Sequence, residues 1–533
     1  MATTDFRVGV NGMSAEQGGP TGPDLASGID LTEIAAGAML QGHVGDEAVL
    51  LARHGDEIFA IGSTCTHYGG PLAEGLMVGD KVHCPWHHAC FSLRTGEALQ
   101  APALNPVPCW KVVQSDGKVR VTKKSERAPL EVASSPAARK GETPKSIGII
   151  GAGAAGSACA EMLRRQGYDG PITMFDPDPS APYDRPNLSK DYLAGNAPEE
   201  WIPLRPTDFY EEHGIELVRE PVASLDAKAK RIALQNGKTR DFDRILLATG
   251  ADPVKLPLPG SELPHVHYLR SLADSRAIVA AAKQSKKAVV IGASFIGLEV
   301  AASLRARELE VHVVAPETIP FEKILGRELG EFIKQLHEEK GVNFHLGRTS
   351  KSIAADSVTL DDGSTIAGVD LVVLGVGVRP RVKLAEDAGL AMEKGVSVSE
   401  LLETSVPGVF AVGDIARWPD PHTGKNIRVE HWVVAQRQGQ HAAKNLLGAG
   451  EPFAAVPFFW SQHYDTVITY VGHAEHWDRI DIQGSIPDRD CVLAYRDGRK
   501  TPAVAAIFRD VESLTAEQLM ERNDWKALSE MLG

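Results

Sequence analysis

The run Ser146-Ile-Gly-Ile-Ile150-Gly151-Ala-Gly153-Ala154-Ala-Gly156 decides how the larger part of this 533-residue chain folds. A short apolar segment meets three glycines spaced Gly-x-Gly-x-x-Gly, and a helical pattern then runs to Gln166. Strand, tight turn and helix in that order let the backbone approach a pyrophosphate at a helix N-terminus. A carboxylate for the ribose is expected about twenty residues further on, at the end of the next strand. Asp176, after Ile172-Thr-Met-Phe175, stands there, and Asp178 is its rival. The competing reading is the same fold with no nucleotide.

The pattern recurs. The strand Lys287–Ile291 precedes Gly292-Ala-Ser294-Phe295-Ile-Gly297. Ser294 replaces the middle glycine and is expected to crowd a pyrophosphate slightly. The following strand, over 311–314, leads to Ala315-Pro316-Glu317, so Glu317 is placed to accept from a ribose 2′-hydroxyl. No arginine follows at that strand end to meet a 2′-phosphate, and NADH is therefore expected over NADPH. Strands alternating with helices imply two α/β Rossmann-type domains with parallel sheets.

Residues 31–121 read differently, as short apolar runs broken by Gly, Asp and Pro, which is an all-β pattern. Within them Cys65-Thr-His67 is followed after sixteen residues by Cys84-Pro-Trp-His87. Cys65, Cys84, His67 and His87 have the composition of a Rieske [2Fe–2S] centre, with two thiolates on one iron and two imidazoles on the other. Zinc is the alternative, although zinc fingers group their cysteines and histidines instead of alternating them. Cys90, Cys109 and Cys159 read as packing thiols. Residues 1–29 read as a flexible tail and 123–145 as a linker whose reach lets His67 and His87, outermost on their loops, swing between an electron donor and an acceptor.

Three further segments accompany the glycine turns: Ala248-Thr249-Gly250, Gly375-Val-Gly377-Val-Arg-Pro380 and Val409-Phe-Ala-Val-Gly413-Asp414. With them, residues 146–450 resemble the pyridine-nucleotide flavoprotein oxidoreductases. Pro182-Tyr-Asp-Arg185-Pro186 and Leu188-Ser-Lys190 narrow the resemblance to the dioxygenase ferredoxin reductases and to the apoptosis-inducing-factor-like group, whose Rieske-fused members it is most similar to. The resemblance implies that Arg185 and Lys190 contact FAD and that Glu299 pairs with Lys190 beside the flavin. It also implies that Asp414 holds the ribityl chain and that His431, Trp432 and Trp460 lie near the isoalloxazine. The bland alternative for Lys190 and Glu299 is surface charge at helix starts. A paired redox cysteine of the glutathione-reductase kind is missing beside Cys159, which argues against disulfide reduction.

The expected architecture is a tail (1–29), a Rieske domain (30–122), a linker (123–145) and an FAD domain (146–262 and 385–451). An NAD domain (263–384) and a small α+β C-terminal domain (452–533) complete it. The expected function is an NADH-dependent FAD oxidoreductase passing electrons singly to its own cluster and on to an external acceptor, whether ferredoxin, oxygenase or another redox protein. Alternatives are a signalling protein or the reductase component of an aromatic-ring oxygenase system. A net charge of −14 disfavours nucleic acid, and no apolar run suggests membrane insertion. A cytoplasmic monomer or homodimer is expected.

Overall fold

The computed structural model describes residues 21–533 apart from residues 129 and 135. The tail expected over 1–29 lies outside the described residues up to residue 20. From residue 21 the expectation is corrected. Leu25 is fully buried, its N–H bonds the His43 carbonyl, and Ile29–Asp30 pairs antiparallel with Lys118 and Val119. Leu25, Ile29 and Ile34 supply apolar surface to the β domain, and this fixes the segment.

That domain holds a six-stranded antiparallel sheet and a four-stranded one built from Leu76–Val78, Lys81–His83, Cys90–Ser92 and Ala98–Gln100. Two loops at one end carry the cysteine and histidine pairs. Each is pinned by a backbone hydrogen bond, Cys65 N–H to the Gly70 carbonyl and Cys84 N–H to the Ala89 carbonyl, both 2.8 Å.

Two parallel five-stranded sheets follow. The first is ordered Ile215–Val218, Ile172–Phe175, Ile147–Ile150, Arg244–Leu247 and Val409–Ala411. Its last strand arrives only after the second sheet is complete, so one nucleotide fold is inserted in the other. The second sheet is centred on Lys287–Ile291, with Glu310–Ala315 on one side and Leu371–Leu374 on the other. Central strands such as Ile147–Ile150 are apolar throughout because both faces are covered. A five-stranded antiparallel sheet and the helices Asp510–Glu521 and Trp525–Met531 close the chain. Among the described residues no helix is long and apolar enough to cross a membrane.

The segment read as a free linker is laid down on the reductase. Leu130 joins the core under the first sheet. Ala133 N–H donates to the Arg165 carbonyl (2.6 Å), Ala137 N–H to Gln166 Oε1 (2.6 Å) and Lys140 N–H to the Gly448 carbonyl (2.9 Å). Arg165 in turn reaches back to Glu97 of the β domain at 2.7 Å, with both side chains buried. Composition suggested a swinging tether, whereas these contacts tie described residues of the segment to the reductase.

Candidate functional site

At the first glycine turn Gly151 has φ +103°, and a Cβ there would lie 2.2 Å from the Ala248 carbonyl oxygen. The turn therefore accepts only glycine at this point. Ala152 N–H donates to Asp176 Oδ2 (2.7 Å), while Asp178 accepts from the Tyr183 hydroxyl (2.9 Å). Asp176 is thus held by the turn itself. Gly151, Gly153, Asp176, Asp178, Ala248, Thr249 and Gly250 line one cleft of about 1230 Å³. A Cβ at Gly153 would face the Arg185 guanidinium at 3.6 Å. Gly156, in the first turn of the helix Ala154–Arg165, is buried below the cleft. A bare turn opposite Arg185 and Arg270 is a cradle that fits a diphosphate.

Arg185, Arg270 and Arg428 also line an adjoining space of about 520 Å³, together with Ala154, Lys190, Glu299, Asp414, His431, Trp432 and Trp460. Asp414, next to Gly413, accepts from Arg270 at 2.8 Å. The helix Trp432–Leu446 starts here with His431 as its N-cap, so its positive end faces the space. His431 Nδ1 is buried without a partner, and burial lowers its imidazole to about 3. An orphaned neutral imidazole beside a half-apolar slot fits a planar heteroaromatic ring. Lys190 Nζ donates to Glu299 Oε2 at 2.8 Å, with the carboxylate 4% exposed. Ser189 and Ser461 hydroxyls also donate to that carboxylate. The pair is buried in the cleft wall, unlike the surface charge that single residues would suggest.

The second glycine turn opens on a cleft of about 910 Å³ lined by Gly292, Ser294, Phe295, Glu317 and Gly377. Ser294 stands in the wall of this cleft. Its hydroxyl donates to the Gly375 carbonyl (2.7 Å) and accepts from Gly297 N–H (3.1 Å), capping the helix Phe295–Ala306. Arg348, distant in sequence, lines the same cleft as Glu317 and is tied to Asp362. Phe295 lines both this cleft and the slot holding Lys190, so the two spaces meet there.

In the β domain Cys65 and Cys84 are buried, and His67 Nδ1 stands 3.2 Å from His87 Nδ1. A Cβ on Gly70 would lie 2.6 Å from Cys84 Sγ, so the loop leaves no side chain over that sulfur. Among the described residues no three His, Cys, Asp or Glu side chains close on a single metal ion. A pair of thiols and a pair of imidazoles suits two bridged irons better than one tetrahedral zinc. The two histidines are not outermost. His87 is 7% exposed and its ring centre lies 4.2 Å from that of Trp460, with His67 at 6.1 Å. Tyr68 stacks on His67 at 3.9 Å and donates its hydroxyl to Asp184. Burial lifts the Asp184 carboxyl to about 6.

The docking is reinforced next door. His88 turns away from the His67–His87 pair, with φ 59°, stacks on Phe458 at 4.0 Å and bonds Glu517. Arg437 bonds the same carboxylate. Burial would raise Glu517, but Arg437 and His88 override it and hold it down to about 2. Sequence reading gave no role to Tyr68, Asp184, His88, Arg437 and Glu517, because partners separated by 80 to 429 residues leave no local pattern.

Residues 145–439 match the model of the pyridine nucleotide-disulphide oxidoreductases, and residues 29–111 that of the Rieske [2Fe-2S] domain. The chain is 31% identical to human (Homo sapiens) apoptosis-inducing factor 3 over 503 residues, covering 91% of this chain and 82% of the relative. It is 37% identical to rhodocoxin reductase of Rhodococcus erythropolis over 347 residues, 64% of this chain and 81% of that one. A crystal structure of the covalent putidaredoxin reductase–putidaredoxin complex superposes with a TM-score of 0.69 at 30% identity, covering 73% of this chain and 98% of the other.

Proposed function

The chain belongs to the pyridine nucleotide-disulphide oxidoreductase family and carries a Rieske [2Fe-2S] domain, and from that premise we propose that electrons cross directly from the flavin slot to the docked Rieske loops of the same chain. It is an NAD-dependent flavoprotein oxidoreductase of ferredoxin-reductase type. FAD supplies the step between currencies, since a flavin accepts a hydride and releases electrons singly to a one-electron [2Fe–2S] centre.

The side chains have separable tasks. Gly151, Gly153, Arg185 and Asp176 would hold the adenosine diphosphate end of FAD, and Asp414 the ribityl chain. Glu317 would accept from the ribose of NADH, and Phe295, in the wall of both clefts, would meet its nicotinamide. Lys190 and Glu299 set the charge beside the ring. Cys65 and Cys84 would bind one iron of the cluster, and His67 and His87 the other. Trp460 lines the flavin slot on one side and touches His87 on the other, and this observation carries the proposal. A redox protein takes the electrons onward. The cavity of about 390 Å³ lined by Thr66, His67, Tyr68, Asn105 and Trp201 gives it an approach to the docked loops. Six unpaired cysteines suit the reducing cytoplasm, where NADH is supplied.

Anaerobic rapid mixing with NADH tests this. Flavin absorbance should fall first and the cluster should reduce second, at a rate independent of protein concentration. Cys84→Ser should keep the first phase and lose the second. A second phase proportional to protein concentration would show transfer between molecules and overturn the proposal.

A further inference from the structure

Behind the Lys190–Glu299 pair a buried file of hydrogen-bonding side chains leads away from the flavin slot. Glu299 Oε1 accepts from the Ser461 hydroxyl at 2.7 Å. Ser461 Oγ lies 3.1 Å from His463 Nε2, His463 Nδ1 lies 3.1 Å from His337 Nε2, and His337 Nδ1 lies 3.3 Å from the Tyr464 hydroxyl. Glu299, Ser461, His463 and His337 are 4%, 1%, 0% and 0% exposed, whereas Tyr464 is only partly buried. The strand Phe458–His463 provides the inner members and the helix Arg327–Glu339 provides His337.

The anchor fixes every proton in the file. A carboxylate only accepts, so Ser461 donates to it and must itself accept from His463 Nε2–H. That leaves His463 Nδ1 to accept from His337 Nε2–H, and His337 Nδ1 to accept from Tyr464. All donors point toward Glu299. Burial lowers both imidazoles, His463 to about 3, so each ring carries one proton at neutral pH. Lys190 at the inner end and Arg305 and Lys340 around Tyr464 add positive charge, while Asp465 stands exposed beside it. Two fully buried histidines among Phe321 and Phe344 would be better replaced by apolar side chains if packing were their whole task.

We propose that Tyr464, His337, His463 and Ser461 conduct a proton from solvent to Glu299 when hydride enters the slot, and return it when the electrons leave. One inward pass moves one proton across each link and leaves every donor pointing outward, which is the arrangement the return needs. The proton on Glu299 offsets the negative charge brought by the hydride. Over a full cycle the file's proton cancels, and NADH yields NAD⁺, two electrons to one-electron acceptors and the one proton derived from the hydride. The place of the file in that cycle rests on the proposed function, but its test does not require NADH.

The holoenzyme is reduced at an electrode and followed by infrared difference spectroscopy. A protonated carboxyl band should appear on reduction, shift in D₂O and be missing in Glu299→Gln. In His463→Gln and His337→Gln the amide can keep the hydrogen bonds but does not relay a proton. There the band should lag electron uptake at least tenfold, and the double variant should lag no more than either alone. Tyr464→Phe, at the partly exposed end, should show the same lag if the buried variants fold poorly. The proposal is overturned if wild-type protein shows no carboxyl band, or if the band keeps wild-type pace in the variants. Failure of NADH to reduce a protein in which the electrode produces the band would refute the hydride reading and leave the file standing.

Discussion

The two glycine turns have the same backbone and different surroundings. Gly151 (φ +103°) lies against the Ala248 carbonyl, Gly292 (φ +111°) against that of Gly375, and a Cβ would come within 2.2 Å and 2.4 Å respectively. They part at the middle position. Gly153 leaves the first turn bare before Arg185, and Arg185, Arg270 and Arg428 run on into the flavin slot. Ser294 spends its hydroxyl on the helix N-terminus of the second turn, whose cleft has Arg348 alone among arginines. Backbone shape says that both turns take a dinucleotide. The side chains differ in charge, with Arg185, Arg270 and Arg428 at the first cleft and Arg348 at the second.

The largest test of that contrast changes the two equivalent glycines. Gly151→Val and Gly292→Val each force a left-handed residue into a carbonyl, at a local cost on the order of 2–5 kcal/mol. Purified Gly151→Val should contain no flavin, whereas Gly292→Val should retain it and resist bleaching by NADH. Flavin loss from both would remove the distinction. Lys190→Ala comes next. It leaves Glu299 buried and unpaired, so hydride transfer in stopped flow should slow by about 100-fold while flavin content holds. Glu317→Ala should reduce the preference for NADH over NADPH about tenfold in kcat/KM, the worth of one charge-assisted hydrogen bond. An unchanged ratio would point to Arg348 as the discriminating group. The smallest effect is at the cap. Ser294→Ala should lower stability by about 1 kcal/mol and Ser294→Gly by a few tenths, read as the thermal midpoint, with NADH affinity preserved.

Much of this was legible in the chain. The strand–glycine–helix units, Asp176 at its strand end and the alternating Cys-x-His and Cys-x-x-His loops are local patterns, and the fold followed them. Ser294 was legible as a departure but not as a cap, because its partner carbonyl at Gly375 comes from another strand end. The linker was misread for a related reason. Its composition is polar, yet its backbone N–H groups find acceptors on Arg165, Gln166 and Gly448. Tyr68, in sequence only the neighbour of His67, acquires a partner once Asp184 comes to meet it.

The sequence by itself determined the nucleotide turns, the iron–sulfur loops and their order along the chain, since each depends on residues within a few positions of one another. Tertiary structure alone decided that the Rieske loops rest on Trp460, that His88 locks into Arg437 and Glu517, and that His337 meets His463. Those arrangements depend on burial and hydrogen-bond pairing between segments 126 to 429 residues apart, and only close packing of the whole chain selects among such pairings.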